Sequence, residues 1–243
     1  AIRFRGASGG VLTALCAYAI EKMGMEGVLH TGQDPEDPIK NRTRLSRNLE
    51  ELLSAAGSRY SPASVCNGLH LVAAAGGKCV FVGKPVEVAA LRNLERVSPE
   101  WVRNVGLVLS FFCAETPSTR GTLELLSQMG VDPDRIDGLR YRGCGWPGDF
   151  TPYSNTASAA LPRMTYRESW AFLQAYRPWS AQVWPDGTGE LADISCGDPW
   201  YREPDGENPG SSIVVVRTER GRRILHDAMR ANYLQLEVAE PWK

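Results

Sequence analysis

The sequence predicts an α/β fold of mixed α+β type: a mixed β-sheet flanked by helices, followed by a loop-rich carboxyl-terminal half. Three observations lead there. Short apolar runs of strand length alternate with amphipathic runs of helix length through the first half of the chain, the pattern of a sheet covered by helices. A glycine-rich turn at the amino end passes directly into a long apolar helix pattern. Beyond Asp137 the texture changes, and glycine, proline and aromatic residues crowd together.

Taken in order, Gly6-Ala7-Ser8-Gly9-Gly10 forms the turn, residues 11–22 the helix, and Gly24 its stop. A second amphipathic stretch over 49–56 ends at Gly57, and a third over 69–75 ends at Gly76-Gly77. Residues 78–83 read as a short buried strand and 87–95 as the helix after it, with Gly83-Lys84-Pro85 as the loop between. The apolar run 105–112 is the next strand, and 121–129 the next helix. Trp146, Trp170, Trp179, Trp184 and Trp200 all fall in the later half, where irregular structure is expected. Residues 213–218 form a strand, and 219–236 a terminal amphipathic helix with an Arg-rich outer face. A soft boundary near Gly76-Gly77 divides the chain into segments 1–77 and 78–243.

At 243 residues the chain buries a substantial core, and 27 basic against 28 acidic residues give a net charge of −1. No sequence-wide field draws it to nucleic acid or to an anionic membrane, so small molecules and other proteins are the expected partners. The start lacks the apolar stretch of a secretory signal, and no run reaches the length of a membrane span, so a soluble, cytoplasmic protein is expected. Opening at Ala1 rather than Met leaves room for a preceding segment. The six cysteines lie far apart with no C-x-x-C pair, which gives a disulfide framework no support; Cys16 and Cys79 sit in apolar runs as small hydrophobes. Three isolated histidines offer little for a metal site or a triad. Oligomeric state is not legible.

Four segments could carry chemistry. The small-residue turn at Gly6–Gly10 opens a helix whose first N–H groups are unpaired, a generic anion site that is also ordinary structure. Lys84 sits where a strand hands over to a helix, and there a lysine either faces a phosphate or is simply solvated. The stretch 186–198 holds four carboxylates that can bind ribose hydroxyls or a ring edge, or cap turns. Residues 140–148 combine guanidinium groups with aromatic faces, suited to stacking on a planar ring or to a rigid packed loop.

Together the segments resemble the beta-subunit family of coenzyme F420 hydrogenases and dehydrogenases, which includes formate dehydrogenase beta chains and chlorophyll-pathway reductases. The resemblance rests on Ala7-Ser8-Gly9-Gly10-Val11, Gly57-Ser58-Arg59-Tyr60-Ser61-Pro62, Phe81-Val82-Gly83-Lys84-Pro85 and Phe112-Cys113-Ala114-Glu115. It continues through Tyr141-Arg142-Gly143, Gly145-Trp146-Pro147-Gly148, Ala192-Asp193-Ile194-Ser195 and Gly197-Asp198. It implies the FrhB/FdhB-like flavin-binding fold and a protein that holds FAD and passes electrons to a tetranuclear iron–sulfur cluster. Carried over by motif, the cofactor-binding candidates are Ser8, Gly9, Gly10, Ser58, Arg59, Tyr60, Lys84, Asp193 and Ser195.

The departures shape the expected chemistry. Where relatives carry cluster cysteines this chain has Val86, Ala181 and Trp184, and of the implied ligands only Cys113 remains, short of the roughly four thiolates a cubane needs. No cluster is therefore expected. The resulting expectation is an FAD-dependent oxidoreductase that exchanges a hydride between flavin and a small organic substrate or a deazaflavin or nicotinamide donor. Cys113, Glu115, Tyr141 and Cys144 are the candidates for proton transfer or covalent attack. The alternative is a non-catalytic subunit of a redox complex that acts as a protein-interaction scaffold, and a redox partner protein fits either reading.

Overall fold

In the computed structural model, which describes residues 2–7, 10–157, 159–201 and 210–239, with the side chains of 181 and 182 also outside the description, two sheets carry the chain. The amino end forms α1 (Ile2–Arg5) and α2 (Val11–Glu21), then an antiparallel hairpin of β1 (Gly27–Gln33) and β2 (Asn41–Ser46). The short helices α3 (Leu49–Ser54) and α4 (Leu69–Ala73) follow. Then come β3 (Cys79–Gly83), α5 (Pro85–Val97), β4 (Val105–Phe111) and α6 (Thr119–Gln128).

The loop-rich half contributes β5 (Gly138–Arg140), β6 (Asp149–Tyr153) and β7 (Met164–Thr165), which make a small antiparallel sheet, with α7 (Tyr166–Leu173) and α8 (Trp179–Val183) beside it in sequence. β8 (Ile194–Gly197), β9 (Ile213–Val216) and α9 (Glu219–Arg230) return to the main sheet.

That sheet has the order β2-β1-β3-β4-β8-β9. Its four inner strands run parallel and its two edges antiparallel. Parallel strands need both faces covered, which explains the continuous apolar runs of β3 and β4. Val80, Leu107, Leu109 and Ile194 face α2 and α9 on one side. Leu29, Phe81 and Val108 face α4 and α5 on the other. Because β1 pairs directly with β3, segments 1–77 and 78–243 share one sheet, and the clusters on both of its faces draw on both segments. A third cluster, with Leu125, Leu139, Phe150 and Leu173, joins α6 and α7 to the small sheet.

Local chemistry sets the helix starts. Gly10 precedes α2 with φ 71°, and a Cβ there would stand 2.9 Å from the Ile2 side chain, so only glycine fits. Pro85 occupies the first position of α5, and the Glu87 carboxylate reaches back to accept from the Lys84 N–H at 2.9 Å. Among the described residues no helix is long and apolar enough to cross a membrane.

Asp193 is a staple. Buried just before β8, it accepts from the Val108 N–H at 2.9 Å and from the Thr218 hydroxyl at 2.6 Å, while Thr218 in turn caps α9. Replacing Asp193 with alanine is expected to lower unfolding stability by about 3 kcal/mol, since a buried N–H and the cap's hydroxyl lose their acceptor. Urea denaturation measures this, and a variant as stable as the parent would show that the carboxylate does not hold β4, β8 and α9 together.

Candidate functional site

The parallel strands end on one side of the sheet, and there a cavity of about 650 Å³ opens. His30 and Thr31 of β1, Val82 and Gly83 of β3, Phe111 of β4, and Cys196 and Gly197 of β8 form its floor. Apart from His30, at the middle of β1, these residues lie toward the carboxyl ends of their strands, where open α/β sheets bind ligands. The start of α2 at Gly10 and Val11, the turn 55–58, and Lys84 at the start of α5 form one rim. The opposite wall is aromatic: Tyr60, Tyr166, Trp170 and Trp200. Its volume falls in the range of roughly 300–1,000 Å³ usual for small-molecule and cofactor sites.

One buried arginine organises the aromatic wall. Arg142, 2% exposed, donates to both oxygens of Asp198 at 2.9 and 2.7 Å, to the Ala7 carbonyl at 2.6 Å and to the Pro147 carbonyl at 3.2 Å. Trp146 Nε1 donates to the same carboxylate at 2.9 Å. The guanidinium lies 4.7 Å from the centroid of the Tyr166 ring and 5.3 Å from that of Trp200, and those two rings stack at 8° to each other. Burial pushes the Tyr60 and Tyr166 hydroxyls up, and the nearby Arg142 charge draws each partly back. Both stay protonated donors.

Of the residues the sequence nominates, Gly10, Ser58, Arg59, Tyr60, Lys84, Cys113 and Glu115 meet at the cavity. Ser8 and Gly9 lie outside the described residues. Arg59 lines the cavity, yet its donors are committed: they bond Asn41, Gln33 and the carbonyls of Leu139, Pro38 and Lys40. Its structural work is to bind the β1–β2 loop to the small sheet. Lys84 Nζ reaches the Ala63 carbonyl at 3.3 Å and Glu87 at 3.7 Å.

Others lie apart from the cavity. Asp193 stands at the amino end of β8, away from the cavity floor, because its carboxylate is taken up by β4 and Thr218. Ser195 is fully buried, and its side chain falls on the other side of the strand from Cys196, under Gly189. Tyr141 is buried against Thr122, with its hydroxyl 2.8 Å from the Thr122 hydroxyl. Cys144 is exposed, with Arg140 donating to its sulfur at 3.2 Å. In the stretch 186–198 the aspartates cap and pair: Asp186 accepts from the backbone of Thr188, Gly189 and Glu190, and Asp198 takes Arg142. The loop 140–148 is likewise a packed loop.

The cavity thiols are acids too weak to ionise near neutrality. Burial pushes Cys113 up to about 11, although the Glu115 N–H donates to its sulfur at 3.3 Å, and burial pushes Cys196 up to about 12. A free thiolate nucleophile is therefore not on offer. Among the described residues no group of three histidine, cysteine, aspartate or glutamate side chains is placed to hold a metal ion. Sequence reasoning missed His30 and the stacked rings of Tyr166 and Trp200, and it took Asp198 as one of the carboxylates of 186–198 without its pairing to Arg142. The signal for that pairing is that both residues belong to the same motif set.

Known proteins share this architecture. The family model for the amino-terminal part of the coenzyme F420 hydrogenase/dehydrogenase beta subunit matches residues 1–70, and the model for the carboxyl terminus of that same subunit matches residues 76–241. The beta subunit of coenzyme F420 hydrogenase from Methanococcus voltae is 28% identical over 232 residues, covering 93% of this chain and 76% of that protein. A coenzyme F420-dependent sulfite reductase from Methanocaldococcus jannaschii is 24% identical over 97% of this chain, which spans only 37% of that protein. A chain of the F420-reducing NiFe hydrogenase complex from Methanosarcina barkeri shares the fold with a TM-score of 0.72 at 21% identity, covering 95% of this chain and 76% of that one.

Two outcomes follow from the geometry. Asp198→Asn leaves the buried Arg142 charge uncompensated and is expected to cost about 4 kcal/mol of stability, read by chemical denaturation; an unchanged midpoint would show that the pair does not hold the wall. His30 offers a pH test. Its ring contacts the Ser46 hydroxyl at 2.7 Å and the Thr31 carbonyl at 3.0 Å, and burial holds its pKa down at about 4 against an ordinary 6.5. The unfolded chain takes up this proton first, so stability is intact above the ordinary value and falls as pH drops toward about 4. The loss approaches about 3 kcal/mol. Urea midpoints across that window should flatten in His30→Gln, and an equally steep parent and variant would refute the assignment.

Proposed function

The chain belongs to the coenzyme F420 hydrogenase/dehydrogenase beta-subunit family, a family of redox subunits, and on that premise we propose that it is an FAD-dependent oxidoreductase. It exchanges a hydride between flavin and a small organic substrate or a deazaflavin or nicotinamide donor, without the family's iron–sulfur cluster. The single observation that carries this is the cavity itself, where a helix start without a side-chain cap, a lysine amine and a wall of aromatic rings converge.

The residues fit such a group. The first-turn N–H groups of α2 and the Lys84 amine suit the phosphates of a dinucleotide, one by dipole and hydrogen bond, the other by charge. FAD, when bound, supplies the ring that accepts or returns a hydride. The rings of Tyr60, Tyr166, Trp170 and Trp200 offer a planar ligand faces to lie on and keep water off it. The two tyrosine hydroxyls and the Cys113 thiol hold protons at the cavity wall. The cluster-free part of the reading rests on Val86, Ala181 and Trp184, which cannot ligate iron through a thiolate. A protein partner for electron exchange is compatible with the hydrogenase complex to which the structural neighbour belongs.

Purified protein is expected to be yellow, with the absorption of oxidised flavin and releasable FAD. A colourless protein that takes up no added FAD would favour the scaffold reading instead. Lys84→Gln is expected to weaken FAD binding about tenfold, measured by equilibrium dialysis, while thermal unfolding of the FAD-free protein stays nearly unchanged. An equal loss of stability in that form would mark Lys84 as structural.

A further inference from the structure

Hydride exchange needs no conductor, yet the aromatic wall has the spacing of one. Trp170 and Tyr60 stand 5.0 Å apart between ring centroids, Tyr60 and Tyr166 6.5 Å, and Tyr166 and Trp200 5.3 Å. All four rings line the cavity, so a flavin lying against them meets the row wherever along it the ring rests, and no step exceeds 6.5 Å. The row has one exposed member. Tyr60, Tyr166 and Trp170 are partly buried, whereas Trp200 is 49% exposed. Trp146 stands a further 5.3 Å beyond Trp200, but at 3% exposed it is out of reach of dissolved molecules.

Such a row can carry only one kind of charge. Indole and phenol rings surrender an electron to strong oxidants alone, and oxidised flavin at rest is too weak. Reduced flavin cannot use the row either, since these rings accept no electron from it. Flavin that has absorbed blue light is a strong enough oxidant, and flavins carry one-electron chemistry as well as hydrides. Resting on the FAD site proposed above, we infer that the wall is a one-electron conduit for light-excited flavin, fed by small water-soluble reductants that touch Trp200.

The electrons and protons balance. Excited flavin takes one electron from the nearest ring and becomes a radical anion, which leaves a cation radical in the wall. The hole moves ring to ring to Trp200, where water stabilises a charge that burial would not. Arg142 beside Tyr166 and Trp200 opposes a positive charge there, and its paired Asp198 carboxylate cancels that opposition. An oxidised tyrosine must release its phenolic proton; the Tyr60 and Tyr166 hydroxyls are hydrogen-bonded to each other, so the proton crosses that bond and returns once the hole has passed. An ene-diol such as ascorbate then gives Trp200 one electron and releases one proton. A second photon and a second ascorbate complete dihydroflavin, whose two added protons match the two released.

Laser-flash absorption on the FAD-loaded protein, without oxygen, tests this. A tryptophan radical should appear together with the flavin radical, and its decay should quicken as ascorbate is added. In Trp200→Phe, whose ring is far harder to oxidise, the ascorbate-dependent decay should be lost, and Trp200→Tyr, which restores an oxidisable ring, should recover it. Signals are counted per bound flavin, because Trp200 also belongs to the cavity wall. A parent without the tryptophan radical, a radical whose decay ignores ascorbate, or a decay that Trp200→Phe leaves unchanged would overturn the inference while leaving the flavin site standing. Failure of the protein to take up FAD in dialysis, read before any illumination, overturns the flavin site itself and this inference with it.

Discussion

The site depends on one buried ion pair. Arg142 and Asp198 come from segments far apart in the chain, and each is held by further partners: the Ala7 and Pro147 carbonyls for the guanidinium, Trp146 for the carboxylate. Removing such a pair from water costs free energy that the attraction repays only when every donor and acceptor is satisfied. Here the satisfying groups are the walls of the cavity. The pair therefore draws the turn before α2, the loop after β5 and the end of β8 to a common point, and it sets the face on which Tyr166 and Trp200 stack. Its contribution is geometric more than energetic, since two hydrophobic residues would fill the space but would not orient the rings.

The parts of the fold legible in the sequence are those where local pattern and burial agree. The unit of β3, α5 and β4 is clear because its strands are buried on both faces and its helix starts at a proline. The hairpin of β1 and β2 is not, because β2, Asn-Arg-Thr-Arg-Leu-Ser, is a polar edge strand that pairs on one side only. β8 reads as a carboxylate loop because it has four residues and owes its strand form to its neighbours β4 and β9. The terminal helix is shorter than its amphipathic pattern, ending at Arg230 where the chain turns at Asn232 with φ 60°.

The candidate site divides along the same line. Gly10, Ser58, Tyr60 and Lys84 belong to short motifs at helix starts and turns, and these reach the cavity. Asp193 immediately precedes a strand, and Ser195 belongs to it; the strand's alternation sends Cys196, not Ser195, toward the cavity floor. Spacing in sequence could not reveal that parity without knowing that residues 194–197 form a strand. Arg59 shows the converse: it is present at the cavity, but its hydrogen bonds are set by tertiary contacts that no motif encodes.

The pairing of β1 with β3 has a consequence for how the molecule is made. As synthesis proceeds from the amino end, the β1–β2 hairpin emerges with one flank of β1 unpaired until Cys79–Gly83 leaves the ribosome. That flank presents unpaired backbone N–H and C=O groups until β3 covers it, a ready template for association with other nascent chains. The first helices and the hairpin must wait, unfinished, for a strand from the other half, so the two family segments are bound by folding order as well as by the cavity they enclose.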